Sequence, residues 1–137
     1  MFKKPLLPGI IWSIFIALLT LLPGNYIPDI ITLIDWLKPD KLVHLALFSV
    51  FAILFIEGFR RQSSSRILQY KAVQTSLLLG MVFAIFTEVM QKHMIPGRNG
   101  NHYDFLADCI GLVLGYMIWR IIRRNGNKKL STSKNYN

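Results

Sequence analysis

Residues 88–115 read EVMQKHMIPGRNGNHYDFLADCIGLVLG. This stretch sets Glu88, Gln91, Arg98, Asp104 and Asp108 around one short turn, Pro96-Gly97-Arg98-Asn99-Gly100. The segments on both sides are apolar enough to cross a bilayer. Ionisable groups at membrane depth are costly and are kept for pairing or for function. The rest of the chain then reads as a helical frame that brings these groups together.

Helical spacing sharpens the reading. Gly80, Ala84, Glu88 and Gln91 recur at four, four and three residues and share one helix face. Asp104, Asp108, Gly111 and Gly115 recur at four, three and four and share another. Small residues let helices approach closely, and Gly111 and Gly115 have the spacing used for such contacts. The two faces are expected to pack on each other, with Arg98 reaching back to a carboxylate in a bidentate pair.

Further out, composition supports a membrane frame. Of 137 residues, 53% are hydrophobic and 17% charged, whereas soluble domains carry about 25% charged residues. The expected fold is all-α and polytopic, with four transmembrane helices over residues 6–22, 42–56, 72–87 and 105–119. The first run follows Lys3 and Lys4 and has no small-residue cleavage pattern after it, so it reads as a span rather than a signal peptide. The second is short, about 22 Å as a helix; Lys41, Glu57 and Arg60 extend it by snorkelling. Between the first two spans, residues 29–37 form an amphipathic pattern with Trp36, predicting a short interfacial helix in the first external loop, capped by Asp29 and ended by Pro39. Residues 57–71 read as a basic loop with a flexible Gln62-Ser63-Ser64-Ser65 centre. One domain is expected over 1–124, followed by a disordered, basic, cytoplasmic tail over 125–137.

The formal charge of +9 is explained by placement. Twelve of the 16 Lys and Arg residues fall on the side of the termini and four on the other. That bias predicts cytoplasmic termini in the bacterial cytoplasmic membrane, and it accounts for the charge without nucleic acid. Six of the seven acidic residues fall on the outer side, Glu57 being the exception. The lone Cys109 excludes an internal disulfide.

Orientation also sends Asp40, Lys41 and His44, at the start of the second span, to the same outer face. The expected polar cluster is therefore Asp40, Lys41, His44, Glu88, Gln91, Arg98, Asp104 and Asp108, with Gly80, Ala84, Gly111 and Gly115 as helix-packing residues. The bland alternative is that these groups only hold the helices together. His44, Glu88, Asp104 and Asp108 lack the spacing of a metal site, so no metal or cofactor is expected. His93 and His102 read as solvated loop residues.

These residues resemble the VanZ-like family of bacterial membrane proteins. Asp40, Lys41 and His44 match its Asp-Lys-x-x-His opening of the second helix. Glu88, Gln91, Pro96, Gly97, Arg98 and Asp104 match its later ordered pattern, and Gly111 and Gly115 match its closing glycines. Asp108 stands where the family usually has Asn. The resemblance covers roughly residues 10–122 and implies a small multi-pass protein of the bacterial envelope. The family's named member is linked to resistance to the glycopeptide teicoplanin. The expected role is a non-enzymatic polar pocket for a lipid head group or cell-wall precursor. The alternatives are an intramembrane enzyme using Glu88, Asp108 and His44, or a scaffold for a partner membrane protein.

Overall fold

The computed structural model describes the backbone of residues 4–20, 39–94 and 102–134, and side chains over 4–20, 41–93 and 103–126. The proposed interfacial helix at 29–37, the turn carrying Arg98 and the side chain of Asp40 lie outside the described residues. Within them the chain is helical: α1 (Leu7–Thr20), α2 (Pro39–Arg61), the short α3 (Arg66–Tyr70), α4 (Ala72–Met94) and α5 (His102–Lys134). No strand occurs among the described residues. Three stretches are long and apolar enough to cross a membrane: Lys41–Arg61, Ala72–His93 and Tyr103–Gly126. Leu7–Thr20 is a shorter apolar helix of 14 residues.

The helices outrun the uncharged segments that announce them. α2 has 23 residues, and it opens on Pro39, where a missing N–H costs a first-turn position nothing. Pro39 thus starts this helix. At its other end Arg60 and Arg61 stand three and four residues after Glu57 and both pair with its carboxylate, so charge does not stop the helix there. α5 likewise runs past Trp119 and Arg120, and its backbone stays helical to Lys134, through residues that composition alone assigns to a disordered tail. Proline is absent from this helix, and lysines near a helix C-terminus complement the dipole.

α2 is the central helix. Half of its most apolar stretch is buried, whereas most of the corresponding stretches of α4 and α5 are not. Its buried Phe48, Phe51, Phe55 and Phe59 form a stripe along one side. Phe83 of α4 stacks on Phe51 with ring centroids 5.5 Å apart. α1 lies antiparallel on α2: Gly58 faces Pro5 and Leu6, Gly9 faces the Phe55 ring, and Trp12 Nε1 donates to the Leu47 carbonyl at 2.9 Å. α5 runs parallel to α2, since Lys41, His44, Ser49 and Glu57 meet Tyr103, Asp108, Gly111 and Trp119 in that order. The opposite flanks stay uncovered. Ile10, Ile11, Ile14 and Leu18 of α1, Val82, Ile85, Phe86 and Val89 of α4, and Ile110, Val113 and Met117 of α5 are exposed. Apolar surface of that extent is lipid-facing rather than water-facing.

The 62–65 connection is ordered where composition suggests flexibility. Gln62 is buried, and its Oε1 accepts from the backbone N–H of Ser64 at 2.8 Å and of Ser65 at 3.1 Å. Its Nε2 donates to the Ser65 carbonyl at 2.6 Å, and Gln69 Nε2 donates to the Gln62 carbonyl. Ser65 caps α3, its hydroxyl accepting from Leu68 N–H. A single amide side chain thus organises the turn between α2 and α3.

Candidate functional site

The polar residues gather at one end of the bundle, the end at which α2 and α5 begin and α1 and α4 finish. His44, in the first turns of α2, puts Nδ1 3.0 Å from Asp108 Oδ1 of α5. Both side chains are buried, at 6% and 2% exposure. A hydrogen bond between His44 Nδ1 and an ionised carboxylate needs the hydrogen on Nδ1, because the carboxylate only accepts. One turn nearer the helix starts, Lys41 Nζ lies 4.8 Å from the centre of the Tyr103 ring. Asp104, one turn before Asp108 on the same face, is buried too.

Glycines make this contact between helices possible. A Cβ on Gly111 would stand 2.5 Å from the Leu45 carbonyl oxygen, and one on Gly115 would run into the Ser49 carbonyl oxygen. With no side chain at either position the two backbones meet directly. Ser49 Oγ completes the seam, sharing its hydrogen between the Leu45 carbonyl at 2.7 Å and the Gly111 carbonyl at 2.9 Å. Hydroxyls that bond across helices beside small residues are a recurring device of bilayer packing.

This corrects one sequence expectation. The face bearing Asp108, Gly111 and Gly115 packs on α2, not on the face of α4. α2 presents backbone carbonyls and the small Ser49 and Ala52 to the glycines, while the large Phe83 of α4 is turned onto the phenylalanines of α2. The face of α4 is divided. Gly80 meets the Leu112 side chain of α5. Ala84 is fully buried. Gln91 is buried and turns to α1, with Nε2 3.4 Å from the Thr20 carbonyl. Glu88 is half-buried, on the last turns of α4 between Ala84 and Gln91.

Several contributors carry no signal in the sequence reading. Ser49 lies five residues past His44 and reads as one more small residue of an apolar run. Tyr103 precedes Asp104 without any motif of its own. Thr20 takes part through its carbonyl, which every residue type supplies. Among the described residues no three of His, Cys, Asp and Glu are grouped to hold a metal ion.

Long apolar helices with bare aliphatic flanks, joined by a seam that ends in buried ionisable groups, define a helical membrane protein. More narrowly, the chain belongs to the VanZ/LLP1 family, whose family model matches residues 7–123. No curated protein and no solved structure matches it. The family match takes in α1, α3, α4 and the whole of the α2–α5 seam.

Proposed function

We propose that the His44 end of the bundle is an outward-facing site for a lipid head group or a cell-wall precursor, in a four-span protein of the bacterial cytoplasmic membrane with both termini cytoplasmic. The observation that carries this reading is the buried His44–Asp108 hydrogen bond. Burying two titratable groups together costs several kcal/mol of desolvation per charge, of order, unless the geometry is good. A bundle that needed only helix contact would be served by glycines and Ser49 alone. Lys41 and Arg98 supply positive charge for a phosphate; Glu88 and Asp104 supply acceptors for a sugar or an amine. Occupancy by an envelope precursor would link the protein to glycopeptide susceptibility, teicoplanin included.

The test is lipid identification by mass spectrometry on the purified protein, alongside Glu88→Gln. A site predicts a specific head-group class that is lost in the variant while the protein still inserts and accumulates. Loss of accumulation with an unchanged lipid profile would instead fit a scaffold. A second reading has one observation in its favour. A carboxylate on His Nδ1 is the arrangement that orients an imidazole for proton transfer at Nε2. On that reading Asp108 positions His44, Glu88 is the second acid–base group, and the lipid is a substrate. Turnover of an added envelope lipid, abolished by His44→Gln, would separate it from simple binding.

A further inference from the structure

At the opposite end of the bundle one carboxylate stands among cations. Glu57 Oε1 accepts from Arg61 Nε at 2.5 Å, and Oε2 accepts from Trp119 Nε1 at 3.0 Å. Arg60 Nε and an Arg123 terminal nitrogen approach the same Oε2 at 3.8 and 3.7 Å, beyond hydrogen-bond distance. Both guanidinium groups also lie over the Trp119 ring, each 5.7 Å from its centre. Arg60 Nε is buried with no hydrogen-bond partner among the described residues, and both arginine side chains are about one-third exposed, at 34%. A single negative charge therefore faces three guanidiniums, and only Arg61 is hydrogen-bonded to it.

The surroundings say what kind of anion fits. Ile118, Ile121 and Ile122 leave an exposed apolar flank on α5 beside Trp119 and Arg123. α3 exposes Ile67 at 70% and Tyr70 at 87%, as a segment resting in a head-group layer would. A soluble anion has no use for these flanks, whereas a phosphodiester carrying acyl chains uses both the cations and the apolar surface. Arginine forks match phosphate oxygens two at a time, and basic pockets between spans are where anionic head groups lodge. We propose that Arg60 and Arg123, held side by side by Glu57 and Trp119, bind the phosphate of an anionic phospholipid whose chains run along the exposed side of α5. This site is at the far end from His44 and stands or falls independently of the function proposed there.

The experiment is native mass spectrometry of the full-length protein in mild detergent. It is titrated separately with phosphatidylglycerol, phosphatidylcholine and inorganic phosphate. Phosphatidylglycerol should be retained over both others. Arg60→Gln with Arg123→Gln should weaken its retention about tenfold or more per guanidinium removed, the loss of a hydrogen bond between charged groups. Removing the same charge from α3 and its end, by Arg66→Gln with Lys71→Gln, should have a clearly smaller effect. If the paired variant fails to accumulate, Arg123→Gln alone, which leaves the Arg61–Glu57 bond in place, should still lose about tenfold. Equal losses from the two charge pairs would reduce the effect to general surface charge and overturn the site. Retention of inorganic phosphate as strong as that of the lipid would overturn the lipid assignment.

Discussion

At Asp108 the chain places a carboxylate where the family resemblance expects an asparagine, and the geometry says what that exchange keeps. The contact with His44 is made through Oδ1, an acceptor that both residue types possess. Asp108→Asn should therefore accumulate normally and keep the helix seam. Asp108→Ala leaves His44 Nδ1 without this partner and should destabilise by about 1–3 kcal/mol. A double-mutant cycle of His44→Ala with Asp108→Ala, followed by thermal unfolding in detergent, should return a coupling of about 0.5–3 kcal/mol. A coupling near zero would mean the two residues are merely adjacent. Arg98 lies outside the described residues, and its expected pairing with Asp104 or Asp108 is a matter for the same method. Arg98→Ala and Asp104→Ala should cost less together than the sum of their separate effects, and Arg98→Lys should rescue only in part, since an ammonium lacks the planar fork.

For the elements, the decisive contact is the glycine seam of α5 on α2. The obstruction at Gly111 is backbone, the Leu45 carbonyl oxygen and Cα, and backbone cannot rotate aside as a side chain does. Gly111→Ala should destabilise by about 1–3 kcal/mol, the usual cost of overpacking, and it should loosen the His44–Asp108 bond one turn away. Gly126 is the internal control. It lies on the same helix with nothing within 4 Å of a Cβ, so Gly126→Ala should be neutral or stabilising by up to about 1 kcal/mol. Comparable melting shifts for the two alanines would refute the seam. Gln62 acts at element scale as well. Gln62→Ala removes the acceptor for two backbone N–H groups and a donor to Ser65. Proteolysis at residues 62–65 of the detergent-solubilised protein should accelerate.

Over the whole molecule, the sorting of charge predicts orientation. The His44 end gathers Asp104, Asp108, Glu88 and Lys41, while the Glu57 end gathers Arg60, Arg61, Arg66, Lys71, Arg120, Arg123 and Arg124. If the basic end is cytoplasmic, a cysteine introduced by Asn101→Cys in a Cys109→Ser background should label with an impermeant thiol reagent in intact cells. One introduced by Ser64→Cys should not. The opposite labelling would turn the bundle over and place the His44 end inside the cell. Because Gln62 orders the turn at residue 64, labelling of that site should be repeated in opened membranes to show that its thiol is reachable.

Local order along the chain was enough to read the helices, their apolarity and the ordered set of polar residues, because hydrophobic periodicity and the cost of buried charge are properties of neighbours in sequence. Asp108 and the glycines that follow it announced a close helix contact for the same reason, since small residues at a spacing of four have few other uses in an apolar segment. Which helix fills that contact was beyond such reasoning. α4 and α2 both offered small residues, and the choice of α2 turns on where Phe48, Phe51 and Phe83 find room to stack. The extent of the helices was hidden too, because hydropathy marks the depth of the membrane while backbone hydrogen bonding continues through charged turns such as Glu57 to Arg61. The cluster of Glu57, Trp119, Arg60 and Arg123 joins residues up to 66 positions apart in the chain. It exists only because α2 and α5 run parallel, so that side chains with no common motif arrive at one carboxylate.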